Sequence, residues 1–335
     1  MSTSPLRAAM IPVTRQMRGY FAPVNRASET PTIFDPGLSG MFPLSDPPAP
    51  WVDLGWIDNF GRWYETSTDM VRSGAKTMPA VQFRGPLDAG VTFDFREWGK
   101  LQMALACGSE HMNVLAPASG SASPSPSGGT PAVAVAVLTG STASELVFGS
   151  GVASAFSPGS LLAVDLDYAE QIGYVGSGIA AAYVNSAAAV NEDANYVRRV
   201  TFNVGRVVEV TATSVLLAQP LLGGAPAAGA SAQVVVAFVD REGGAFFQEW
   251  SALFVAEEES GGRVCFYYPR LSPTAGPSGK SAGGFVREEL AVIQKPLSTI
   301  SLRASFVALP YSDPNDGQTA LCYRSYFPAA LAQAY

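Results

Sequence analysis

Charge is scarce in this sequence. Only 15% of its 335 residues are Asp, Glu, Lys or Arg, against about 25% in an ordinary globular domain. Histidine is nearly absent, His111 standing alone, and there are three cysteines. Uninterrupted apolar runs of the roughly 18 residues that a membrane helix needs are also missing. Each absence removes a class of protein. Sparse charge combined with 47% hydrophobic residues excludes an acidic disordered chain. The missing apolar runs argue against membrane insertion, and the opening MSTSPLRAAMIPVTRQM has no continuous apolar stretch to make a signal peptide. Cys107, Cys265 and Cys322 are far apart, odd in number and free of any CxxC pair. They read as small buried hydrophobes, not as a disulfide or metal set. His111, in GSEHMNV, has no partners at zinc-ligand spacing.

Catalytic signatures are absent too. No GxSxG, HExxH, P-loop or GxGxxG occurs. PSGKS at 277–281 lacks the opening glycine of a phosphate loop, and GSGIAAAYV at 176–184 lacks a strand–turn–helix frame. No catalytic residue, cofactor or metal is therefore expected. With 21 basic against 28 acidic residues, a net charge of −7, the chain has no basic cluster to grip nucleic-acid phosphates. A surface along which nucleic acid slides remains compatible with that balance.

What is present is short strand patterning punctuated by Gly and Pro, 33 and 25 residues respectively. Residues 1–50, broken by Pro31, Pro36, Pro43, Pro47, Pro48 and Pro50, read as an extended N-terminal arm. The run WVDLGWI from Trp51 reads as a short strand. In MPAVQFRG, Val81 and Phe83 alternate with Gln82 and Arg84. In VTFDFRE, Val91, Phe93 and Phe95 alternate with Thr92, Asp94 and Arg96, the period of a half-buried strand. Trp98, Leu101, Met103, Leu105 and Ala106 then switch to helical spacing, closed by Gly108. PASGSASPSPSGGTPA at 117–132 is a linker composition, and GGAPAAGASA at 223–232 is a second small-residue hinge. Between them, VAVAVLTG, SELVFGSG, SLLAVDLD, FNVGRVVEV and TSVLLAQPL predict a small barrel or sandwich, with 172–196 as a long loop. Long strands return after 233. The expected fold is mainly β: a β-sandwich or curled sheet from 51–116 and 233–335 with one flanking α-helix, split by a small all-β domain over 117–232. The apolar tail CYRSYFPAALAQAY docks on its own chain or on a neighbour.

A few residue groups invite functional readings. Trp51, Trp56, Trp63 and Tyr64 crowd together as a core cluster, a subunit interface or a carbohydrate platform. Asp165 and Asp167 in VDLD form a solvated strand face, a cation site or the flank of a substrate. Glu257, Glu258 and Glu259 form an exposed turn or a source of negative potential. Scattered carboxylates leave a polysaccharide-acting hydrolase as one alternative, and a glycan- or cell-surface-binding module as another.

The ordered pieces WVDLGWIDNF (51–60), DMVRSGAK (69–76), PAVQFRG (79–85), VTFDFREWGKLQMALA (91–106), RVCFYYPRL (263–271) and FVREELAVI (285–293) together resemble the major tail tube proteins of long-tailed bacteriophages. The resemblance lies outside the arm and the 130–225 insert. It implies a β-sandwich with a flanking helix and self-association into hexameric rings. These stack as a tube in the virion, assembled in the host cytoplasm, through which double-stranded DNA passes. It also implies partners among other tail proteins, such as the tape measure, terminator and distal tail proteins. Carried onto this chain, the loop 58–78 with Arg62, Arg72 and Lys76 would stack one ring on the next. The hairpin 79–96 and the strands within 285–309 would line the lumen, with Asp94, Glu288 and Glu289 as lumen-facing charges. Trp51, Trp56 and Trp63 would be interface aromatics, and the N-terminal arm and C-terminal tail would bridge subunits. The insert would project outwards.

Overall fold

The computed structural model describes residues 17–25, 28–37, 44–48, 50–73, 78–97, 99–116, 133–165, 173–174, 203–241, 249–257, 262–274 and 302–327. In chain order the strands are β1 Met17–Pro23, β2 Val52–Ser73, β3 Met78–Phe95, β4 Glu110–Leu115, β5 Val135–Ala136, β6 Glu145–Val147, β7 Leu161–Asp165, β8 Gly173–Tyr174, β9 Val204–Val210, β10 Ser214–Leu217, β11 Ser231–Arg241, β12 Trp250–Glu257, β13 Arg263–Pro273, β14 Leu302–Ala308, β15 Tyr311–Ser312, β16 Thr319–Ala320 and β17 Tyr323–Phe327. Helix α1, Lys100–Cys107, lies between β3 and β4.

Six strands close a barrel. The order β12-β1-β2-β3-β14-β13 is completed by a β12–β13 pairing, and every pairing around it is antiparallel. Period-two patterning fills the inside. Val91, Phe93 and Phe95 from β3, Phe21 from β1, Trp250 and Phe254 from β12 and Phe306 from β14 are fully buried. A barrel of so few strands has an interior just wide enough for its own side chains, and here aromatic rings occupy it. The Phe93 and Phe306 rings stack at 5.6 Å and 8°, while Phe21 lies within 6.3 Å of four other aromatic rings. Leu101 and Leu105 of α1 join the same cluster, so the helix covers apolar surface that the strands leave open. The helix ends at Gly108, whose φ of 64° is a left-handed cap that favours glycine.

A second core forms on the outside of the barrel. Tyr20, Leu253, Val255, Cys265 and Tyr267 point outwards and are covered by Phe34, Leu44, Trp51, Tyr323 and Phe327. Hydrogen bonds fix this cover. The Tyr20 hydroxyl donates to the Leu44 carbonyl at 2.8 Å, the Tyr267 hydroxyl to the Thr32 carbonyl at 2.8 Å, and the Thr32 amide to Ser251 Oγ at 2.9 Å. Burial on both faces explains why WSALFVA in β12 is apolar at nearly every position rather than alternating.

The third core consists only of residues between Val135 and Val234, with Leu146, Phe148, Phe156, Leu162, Val207 and Val215 at its centre. It belongs to a curled sheet of order β6-β10-β9-β7-β11-β4-β8, with β5 also paired to β11. The antiparallel pair β4–β11, Leu115 opposite Val235 through Glu110 opposite Arg241, carries the chain into and out of this unit.

The mainly β fold with one helix and curled sheets is as expected, and the principal sheet goes further by closing on itself. Three local expectations change. Residues 17–23 are not part of an extended arm: β1 is a barrel strand between β12 and β2, and Tyr20, Phe21 and Ala22 are fully buried. Pro31 and Pro36 are in the segment that straps the outer face, where no strand ladder is required. Of the expected loop 58–78, residues 58–73 are strand and 74–77 lie outside the described residues. Residues 58–73 continue β2 to Ser73, paired with a β3 that begins at Met78, so that VQFRG and VTFDF form one strand and not a hairpin. Pro86 fits because the register shifts there, between Thr66 and Thr68 on β2, and a bulge spares the missing amide. Tyr323–Phe327 of the tail docks on β13 of its own chain.

Candidate assembly surface

The hairpin β2–β3 is longer than the barrel that holds it. β1 pairs with β2 no further than Ile57, and β14 pairs with β3 no nearer the tip than Gly90. From Tyr64 opposite Ala89 to Ser73 opposite Met78 the two strands have only each other among the described residues. At about 3.3 Å per residue this ribbon projects about 30 Å. Among the described residues no third strand pairs with either of its edges, and its inward row continues past the barrel as exposed Tyr64 (78%) and Leu87 (47%).

The ribbon's root is built for close approach. A Cβ on Gly90 would come within 2.4 Å of the Phe306 carbonyl oxygen and 2.6 Å of the Trp63 ring, so only glycine lets the indole lie against β3. Trp63 is half-buried, and its Nε1 has no hydrogen-bond acceptor among the described residues. Next to it, Glu65 and Asp88 are directly opposite each other and exposed. Like charges at such positions repel.

On the barrel's outer face Asp58 and Asp94 are another opposed acidic pair, but this one is neutralised. Arg96 makes two hydrogen bonds to Asp58, both at 2.6 Å, which hold the Asp58 carboxyl below its usual range. Asp94 is 5% exposed and accepts hydrogen bonds from Asn59 Nδ2 at 2.6 Å and Arg303 Nε at 2.9 Å. Asn59 reaches it from a left-handed backbone conformation, φ 52°. Within this chain Asp94 is a buried, shared carboxylate rather than an open charge.

Arg62 is on the strand, not in a loop. Its guanidinium is 4.7 Å from the centre of the Phe266 ring, and its Nε donates to the Tyr268 hydroxyl at 2.6 Å. Phe266 is opposite Arg324 of β17, which places Arg324 on the same face of the sheet. Neither arginine has a carboxylate partner among the described residues. Arg18, Arg96, Arg263, Arg270 and Arg303 each have one. Burial raises the pKa of the nearby Cys322 thiol, while Arg62 and Arg324 both pull it down.

The tryptophans separate. Trp51 is 6% exposed and meets Tyr267 edge-on at 6.3 Å, so it is a core residue. One face of Trp56 is occupied by the Arg18 guanidinium at 5.4 Å, and Arg18 is itself paired with Asp53. Only Trp63 is at the ribbon root. The Arg72 side chain, Lys76, Glu288, Glu289, the Asp165 side chain and Asp167 are outside the described residues, as are Glu258, Glu259 and the His111 side chain. The described residues hold no group of three or more His, Cys, Asp or Glu placed to bind a metal ion. No described helix is long and apolar enough to cross a membrane. Arg324, Glu65 and Asp88 were not singled out by sequence, because only strand register shows what stands opposite them.

The fold and surface define a closed antiparallel β-barrel bearing a long two-stranded arm and a small β unit. No protein-family model matches the chain, and no curated protein matches its sequence.

Proposed function

We propose that this protein is a self-assembling structural subunit, of the kind that stacks as rings into a phage tail tube. The observation that carries the reading is the β2–β3 ribbon. An isolated two-stranded ribbon is marginal in water, and open strand edges are a template for pairing with another chain. A ribbon about 30 Å long, with Tyr64 and Leu87 exposed on one face, gains its missing contacts by lying on a neighbouring copy. Closure of the barrel narrows the mechanism: the barrel strands satisfy one another, so assembly falls to the ribbon and the outer edge of β17 instead of to a generally open sheet. Rings joined head to tail through such an arm close or stack according to the rotation between copies. In this reading the passage of double-stranded DNA is mechanical, and the protein needs no cofactor or metal.

Negative-stain electron microscopy of the purified protein over a concentration series tests the proposal. Rings or tubes are expected, and their loss when residues 68–83 are replaced by a short turn. A monodisperse monomer at high concentration, unchanged by other tail components, refutes it. The carbohydrate-platform alternative finds less support, since Trp51 is buried and Trp56 lies under Arg18.

A further inference from the structure

We infer that the surface around Phe266 which carries Arg62 and Arg324 is the receptor for the Glu65–Asp88 pair at the ribbon root of a second copy of this chain. The inference rests on the self-assembly reading and specifies its polar contact.

Two groups of opposite sign, each unmatched among the described residues, carry it. In a chain this poor in charge, five described arginines are already on carboxylates, and Arg206 donates to the Gly159 carbonyl at 2.9 Å. Arg62 instead lies over the Phe266 ring, Arg324 stands opposite Phe266 on the neighbouring strand, and neither has an acidic partner among the described residues. Arg62 is held ready by the Tyr268 hydroxyl and the Phe266 face, a rigid guanidinium of the kind that takes a carboxylate with two hydrogen bonds. Tyr326, 45% exposed, follows Arg324 on the same face. Arginine with aromatic side chains is the composition of an interface hot spot. On the other side, Glu65 and Asp88 face each other with no cation from their own chain among the described residues, a repulsion that two arginines remove.

The two groups cannot satisfy each other within one molecule. Arg62 and Glu65 are on the same strand at positions of opposite parity, so they project from opposite faces of the sheet. Different patches must then meet. Where each copy engages a separate neighbour on either side the contact is head to tail, the geometry that makes rings or open stacks.

The test uses the full chain and sedimentation velocity at several salt concentrations. Glu65→Gln with Asp88→Asn, and separately Arg324→Gln, are each expected to raise the half-assembly concentration about tenfold and to flatten its salt dependence. Combined, they are expected to cost less than the product of the two, because they remove the same contact. The acidic-pair variant is also expected to melt no lower than the parent, since it relieves repulsion within the ribbon. A merely structural role would not give that split. Arg62→Lys, which keeps the charge and loses the fork, is expected to weaken assembly without abolishing it. If the parent protein assembles and the variants assemble at the same concentration with the same salt dependence, the contact is wrong while the assembly reading stands. If the parent itself stays monomeric, both fall.

Discussion

Replacing Phe21 by Ala tests whether the N-terminal segment is a barrel strand or a peripheral arm. The ring is fully buried, and its centre is 5.4 Å from Phe306, 5.8 Å from Phe254, 6.2 Å from Trp250 and 6.3 Å from Phe93. Removing it deletes the transfer free energy of a phenyl group and leaves a cavity bounded by strands that hydrogen bonds hold in place. Such Phe→Ala changes cost about 3–5 kcal/mol, and loss of several ring contacts favours the upper half of that range. At about 2–4 °C per kcal/mol for a unit this large, melting should fall by about 8–20 °C. Tyr64→Ala is the control. Its side chain is 78% exposed, and the isolated subunit should shift by no more than about 0.5 kcal/mol. Differential scanning calorimetry with near-ultraviolet circular dichroism reads both. A Phe21→Ala protein melting within 2 °C of the parent, by order-of-magnitude reasoning under 1 kcal/mol, would show that residues 17–23 lie outside the core.

Other consequences follow from the same structure. Gly90→Ala places a methyl 2.4 Å from a backbone carbonyl, so it should destabilise by about 3 kcal/mol in chemical denaturation, and removing the Trp63 ring should not rescue it. Leu146→Ala, in the third core, should cost about 2–5 kcal/mol and shift a transition of the 133–234 unit while leaving that of the barrel in place. A single cooperative transition shifted as a whole would refute the independence of the two cores. Arg96 lowers the folded pKa of Asp58 below 3.8, so this pair contributes above about pH 4 and is lost as pH falls through the depressed value. Because both groups are substantially exposed, Arg96→Gln should remove only about 0.2–1 kcal/mol at pH 7 and less in high salt. Burial pushes the Cys265 thiol up to about 12. It should resist maleimide labelling in the folded protein at pH 8, and stability should decline as pH rises above the ordinary thiol value of 9.0, where only the unfolded chain ionises.

Local chemistry made part of this legible beforehand. Alternation in VTFDF placed Val91, Phe93 and Phe95 on one face, and Gly108 marked the end of the helix. The small-residue stretches at 117–132 and 223–232 bracketed a run of short strands, and the third core cluster lies within residues 135–234. Proline density misled at the N-terminus, because prolines clustered after residue 30 said nothing about MRGYFAP before them. The expected loop 58–78 and hairpin 79–96 misled again, because register shifts absorb Gly61 and Pro86 within two long paired strands.

By itself the sequence determined composition, strand periodicity, the single helix and the absence of recognised catalytic motifs, all properties of residues read within a few positions of one another. Tertiary structure alone decided that the sheet closes, that β1 is a stave of the barrel, and that Asp94 is neutralised while Glu65 and Asp88 meet no cation among the described residues. Period two assigns a residue to one of two faces but cannot say which residue stands opposite, because pairing joins positions far apart in the chain. Arg62 over the Phe266 ring and Arg324 opposite Phe266, 262 residues apart in numbering, come to one face only once the barrel has formed.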